Sequence, residues 1–171
     1  MALVRQLKIY ACCVLTATVF WPLSAVAQTL GDGMAAYDQG DYVEALAIWR
    51  PLAEQDDALA QSLIAMIYEL GEGVPRQPKL AARWYERAAK AGHPPSQFQL
   101  GRLFRDGVGV KRDVVEAFAW FSLAAESIPK DAAGSNAATR ILADLTNELN
   151  AEDLTAASDR LNDIRLNSPR R

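Results

Sequence analysis

Cysteine is nearly missing from this chain of 171 residues, and the two present, Cys12 and Cys13, sit side by side in an apolar N-terminal segment. Histidine occurs once, as His93. Runs of β-branched residues are sparse, and Ala and Leu are plentiful, which disfavours sheet and favours helix. After residue 27 no long apolar run appears. The chain also lacks a positive balance: 18 basic side chains stand against 21 acidic ones, a net charge of −3. An acidic chain is a poor match for nucleic acid, so none is expected as a partner.

Those shortages frame the first 27 residues. Arg5 and Lys8 make a short positive start, and an apolar run follows from Ile9 to Leu23. Ala25-Val26-Ala27 then puts small residues where a signal peptidase reads them. The pattern is a secretory signal peptide, with cleavage expected before Gln28. The apolar run is about 15 residues, against the roughly 20 that a spanning helix needs. The expected mature protein is therefore exported to the periplasm, or secreted beyond it, with no membrane insertion once the signal is cleaved. It holds about 144 residues, no cysteine, and 16 basic against 21 acidic side chains. Neither a disulfide nor thiol chemistry is open to it.

The remainder reads as helices. One is expected from about Leu30 to Gln39, ended by Gly40. Asp41 and Glu44 have capping-box spacing ahead of a second, with Tyr42, Ala45, Leu46, Trp49 and Leu52 along one face. Residues 60–74 then align with 96–110 at an offset of 36. The match continues: Ala81 with Ala117, Trp84 with Trp120, Tyr85 with Phe121, and Ala88-Ala89 with Ala124-Ala125. A period of this length holds two helices and two short turns, so each unit is a hairpin that buries its apolar faces only by stacking on its neighbours. Ala65 and Gly101 fall mid-helix and imply close helix contacts, since Gly costs about 1 kcal/mol against Ala there. Trp84 and Trp120 are expected as wedges between hairpins, each ring nitrogen with a partner. Past Ser127 the repeat fades. Pro129 breaks the chain, Asp131 is a possible cap for a helix to about Leu149, and Asn150 caps a last helix carrying Leu154, Ala157, Leu161 and Ile164. That final pair is expected to seal the stack, and residues 167–171 form a polar tail.

Gly71-Glu72-Gly73-Val74 followed by residues 81–89, and Gly107-Val108-Gly109-Val110 followed by residues 117–125, resemble the Sel1-like repeat, a relative of the tetratricopeptide repeat. The full pattern covers residues 58–127, and residues 28–57 resemble a degenerate first unit. The resemblance implies an all-α fold, a right-handed α/α solenoid of stacked helical hairpins, with residues 128–166 as C-terminal capping helices. It also implies a non-catalytic module for protein–protein interaction, binding another protein or a peptide. Exported bacterial members resemble adaptors and regulators of the cell envelope, so envelope components are the expected partners. The disulfide-stapled subgroup is not matched, for want of cysteines. One acidic position of the pattern is Asp113 in the second unit but Gln77 in the first.

Two function classes remain beside an adaptor: a structural subunit of an envelope assembly, and a hydrolase using carboxylates near His93. The second has little sequence behind it. The two Gly-x-Gly turns lack the lysine and the strand of a phosphate loop, and read as tight turns. His93 has no thiolate to share a zinc ion with, and reads as a turn residue. Asp56-Asp57, Glu69 with Glu72, and Glu152-Asp153 are paired acids that sequence does not set across a cleft. No catalytic residue, cofactor or metal site is assigned. By analogy with related solenoids the first helix of each hairpin lines the binding groove. The candidates are Ser62, Met66, Glu69, Phe98, Gln99, Arg102 and Arg105. Met66 and Phe98 offer apolar contact, with burial in the core as the competing reading, and the two arginines offer forks for carboxylates.

Overall fold

The structure is a computed structural model that describes residues 29–127 and 133–167. The expected signal segment, Pro129, Asp131 and the end of the tail lie outside the described residues. Among the described residues eight helices follow in order: α1 (Leu30–Asp38), α2 (Tyr42–Glu54), α3 (Ala58–Leu70), α4 (Pro78–Lys90), α5 (Pro94–Asp106), α6 (Val114–Ser127), α7 (Ala133–Glu148) and α8 (Ala151–Asn167). The first six pair as the hairpins α1–α2, α3–α4 and α5–α6, and each hairpin stacks on the next through α2–α3 and α4–α5. The fold is the expected all-α solenoid of stacked hairpins.

The two long turns are built alike, and for the same reason. Gly71 and Gly107 end α3 and α5 in the left-handed region, at φ 79° and 69°. Their amides bond back to the carbonyls of Ile67 and Leu103. Each turn is then closed by one amide, Gln77 to the Tyr68 carbonyl at 2.8 Å and Asp113 to the Phe104 carbonyl at 2.9 Å. The second glycine has a different duty. A methyl group on Gly73 would meet Tyr42 of the preceding hairpin at 2.7 Å. One on Gly109 would run into the backbone of Pro78 and Lys79. Each hairpin therefore touches the one before it at a point where only hydrogen fits.

Small residues also set the spacing within hairpins. A methyl group on Gly101 would sit 3.1 Å from the Phe121 ring, and one on Gly33 would overlap the indole of Trp49. Gly33, Ala65 and Gly101 thus occupy equivalent places on α1, α3 and α5. Positions 33 and 65 are 32 apart, whereas Trp49 and Tyr85 are 36 apart. The shortfall lies in the α1–α2 turn, where Gly40 alone does the work of the longer Gly-x-Gly loop. The first unit is worn in its turn more than in its packing: Trp49 is fully buried and its ring nitrogen donates to the Leu30 carbonyl at 3.1 Å.

Several local expectations are corrected. Asp41 and Glu44 do not form a capping box. Asp41 sits at ψ 62° and makes no side-chain cap bond, because that backbone is not the extended one that swings a cap over the first turn. The reciprocal box forms instead at the start of α1, between Thr29 and Asp32. Trp120 finds its partner, donating to Glu116 Oε2 at 3.1 Å. Among the described residues the Trp84 ring nitrogen has none, and the half-buried ring carries the Arg87 guanidinium 4.8 Å above it. Asn167 belongs to α8, its amide bonded to the Asp163 carbonyl at 2.9 Å, and is not tail.

The last two helices do not form a hairpin. Both pack on α6, with little contact between them among the described residues. Ile141, Leu142 and Leu145 of α7 join Ala117 and Phe121. Asn150 caps α8 through the Asp153 amide at 2.9 Å, and Leu161 and Ile164 join the cluster of Trp120 and Leu123. α8 thus covers one flank of α6 while α7 covers another.

Candidate binding groove on the first helices

Five of the seven candidates come together. Ser62, Met66 and Glu69 of α3 and Gln99 and Arg102 of α5 line one groove of about 580 Å³. Leu63, Leu70, Pro95 and the Tyr85 ring complete its wall. Leu59, Leu63, Met66 and Leu70 follow one another at spacings of four, three and four, so they form one stripe along α3. Leu59 and Leu70 are 43% and 57% exposed, more apolar surface than an isolated helix position needs to show. Register places Met34 of α1, Met66 of α3 and Arg102 of α5 at equivalent points of three successive hairpins.

The floor of the groove is polar and already satisfied. Glu69, its side chain 12% exposed, pairs with Arg102. The Tyr85 hydroxyl donates to the same carboxylate at 3.1 Å, and Arg102 also donates to Gln99 Oε1 at 2.9 Å. Arg76 donates to the Glu69 backbone carbonyl at 2.8 Å. Burial and the Glu69 charge together push the Tyr85 phenol above its ordinary value. A partly buried carboxylate of this kind is stable only while its partner stays, and removing the partner from such a pair costs roughly 3–5 kcal/mol. Arg102 is therefore committed inside the chain and is not a free fork for a partner.

Two candidates lie elsewhere. Phe98 turns into the core, edge-on to Phe121 with ring centroids 5.2 Å apart. Arg105 pairs with its neighbour Asp106 at 2.7 Å and does not line the groove. Leu59, Leu63, Leu70, Pro95 and Tyr85 were not singled out by sequence. The α3 stripe was readable as a second apolar face beside the core face of Ala60, Ile64 and Ile67. Tyr85 was not, because it reaches the groove from a second helix.

The paired acids of the first two hairpins have structural partners. Asp56 pairs with Arg87 at 3.0 Å, Asp57 accepts the Ala60 amide at 2.8 Å, and Glu72 accepts the Tyr37 hydroxyl at 2.7 Å. His93 precedes α5, its Nδ1 2.8 Å from Ser96 Oγ. No group of three or more metal-ligating side chains occurs among the described residues. None of the described helices is long and apolar enough to cross a membrane.

The tyrosines give a pH test. The bond to Glu72 first, and burial second, raise Tyr37 to about 12, and Tyr85 is raised as well. Unfolded tyrosine ionises near ~10. Raised folded values mean stability that is complete below about pH 10 and is lost as pH climbs towards 12. Thermal melts should fall across that window, and Tyr85→Phe should make the fall shallower.

Residues 58–93 and 94–127 each match the Sel1 repeat. The hairpins α3–α4 and α5–α6 are thus each similar to a Sel1 repeat, and a shorter hairpin, α1–α2, precedes them. Its fold is similar to that of a protective antigen present in uropathogenic Escherichia coli strains, described as displaying an SLR fold. That match has a TM-score of 0.71 and 25% identity, covering 81% of this chain and 29% of the antigen. It is also similar to a Sel1 repeat protein from Oxalobacter formigenes, with a TM-score of 0.62 and 30% identity, over 70% of this chain and 47% of that one. The chain thus spans less than half the length of either. Among curated proteins, none matches. Stacked-hairpin folds of this kind serve as scaffolds for protein–protein interaction.

Proposed function

We propose that this protein is an exported, non-catalytic adaptor or regulator of the bacterial cell envelope that holds a short apolar segment of a partner protein against α3. The observation that carries this reading is the α3 stripe, in which Leu63, Met66 and Leu70 line a groove whose charged floor is internally paired and the exposed Leu59 continues the same helix face one turn earlier. Apolar contact is what the groove still has to offer, and a peptide or helix with apolar side chains at matching spacing is the ligand that fits it. The signal-like N-terminus supports a periplasmic setting. The narrowness of the stripe favours a binding module over a structural subunit, which would present a broad apolar face.

The test uses the two most open positions of the stripe. Leu59→Asp with Leu70→Asp should leave the melt nearly unchanged, because both side chains are substantially exposed. In crosslinking capture from living cells the double variant should recover about tenfold less of the dominant partner, a loss of about 1.4 kcal/mol in affinity. Undiminished recovery would place the interface off this groove. Arg102→Glu is unsuitable here, since it would set a second carboxylate beside Glu69 and lower stability together with binding.

A further inference from the structure

A second groove, of about 600 Å³, lies at the start of α4 and shares no lining residue with the first. Pro78, Leu80 and Gly109 give it an apolar floor, and Gln77, Lys79 and Arg83 rim it. No carboxylate lines it. Of the other cations among the described residues, Arg87, Lys90, Arg102, Arg105, Arg112, Arg160 and Arg165 are each bonded to a carboxylate, Arg50 to the Tyr68 hydroxyl and Arg76 to the Glu69 backbone carbonyl, while Arg140 stands exposed on α7. Lys79 and Arg83 have no hydrogen bond or ion pair among the described residues, and neither has Lys111, two residues past Gly109 on the facing turn.

Lys79 also stands in an unfavourable place, the first turn of α4. A helix start carries partial positive charge and favours acids. α4 has no acid in its first turn, and Gln77 makes no side-chain cap bond. The equivalent start of α6 is supplied with both: Asp113 accepts the Glu116 amide at 3.0 Å, and Glu116 lies in the first turn. In a chain of net charge −3, Lys79 in the first turn of α4 and Arg83 one turn on, neither paired with a carboxylate among the described residues, leave this helix start favourable to an incoming acid. We infer that this groove docks an acidic segment of a partner protein, its carboxylates between Lys79, Arg83 and Lys111 and an apolar side chain on Leu80 and Pro78. The surface is separate from the α3 groove and gives the module a second point of attachment.

Fluorescence anisotropy of the full chain against a labelled peptide, glutamates flanking one leucine, tests this, with dextran sulfate as a polyanion without side-chain pattern. The wild type should bind the peptide in low salt and lose it as salt rises. Lys79→Glu with Arg83→Glu should weaken it at least tenfold, about 1.4 kcal/mol, with an unchanged melt, since both positions are exposed. The Gln-for-Glu peptide should not bind, and Leu59→Asp with Leu70→Asp should bind like wild type, which separates this site from the other groove. Absence of wild-type binding at millimolar peptide, binding that survives the double reversal, or dextran sulfate binding as tightly with the same loss in the variant would overturn the assignment.

Discussion

Trp120→Ala is expected to cost about 3–5 kcal/mol, the range for truncating a fully enclosed tryptophan. The ring is 1% exposed and packs among Leu100, Leu103, Leu123 and Ile164. Its nitrogen donates to Glu116, and Glu116 also holds Arg160 of α8. One substitution therefore opens a cavity and loosens the seat of the last helix. Denaturant unfolding gives the size of the loss, and hydrogen exchange should show α8 losing protection first. Trp84→Ala should cost clearly less, because that ring is only half buried and has an arginine rather than a helix above it. Equal losses at the two positions would contradict the role given to α8.

The second large effect is expected at Gly109. Alanine there meets two obstacles. The residue sits at φ 75°, where a side chain costs roughly 1–2 kcal/mol. Its methyl group would also be driven into the Pro78 carbonyl, and a backbone atom in a helix start does not swing aside as a flexible side chain does. Overpacking of this kind adds about 1–3 kcal/mol, so a total near 3 kcal/mol is expected. Gly40→Ala is the control. Gly40 has the same backbone sign, φ 83°, with nothing near the place of an added methyl group, so only the conformational part should appear, about 1–2 kcal/mol. A difference of about 2 kcal/mol between the two, read from denaturant midpoints, measures the contact between successive hairpins.

Much of this architecture was legible because the repeat is written twice. Positions that mean little singly, such as Ala65 and Gly101, mean a close contact when they recur beside an aromatic on the next helix. The Gly-x-Gly turns were legible as positive-φ turns, but not as stacking points, since the atoms they touch belong to another hairpin. Capping by Asp41 and Glu44 looked right in spacing and failed in backbone angle, which spacing does not report. Thr29 and Asp32 have the same spacing, but they sit at the edge of the expected signal segment. For the groove, sequence chose residues of α3 and α5 of which five line one concavity. It overrated Arg102 and Arg105, because an ion pair to Glu69 across hairpins and one to Asp106 next door use the charges that looked free. Phe98 offered the same choice between groove and core as Met66, and it packs edge-on against the buried Phe121 of α6. The separate docking of α7 and α8 on α6 had no signal, since helix pattern fixes which face is apolar but not what covers it.

The most direct test places a photo-activated crosslinking residue at position 66, in the middle of the α3 stripe, and another at the exposed Glu54 on α2. Both are expressed in the cells that make the protein and irradiated there. The account predicts a single dominant adduct from position 66, with the crosslink in a segment of the partner that carries apolar residues at helical or alternate spacing, and none from position 54. A partner crosslinked from position 54 and absent from position 66, in a protein shown to be folded and exported, would contradict the groove as the binding site.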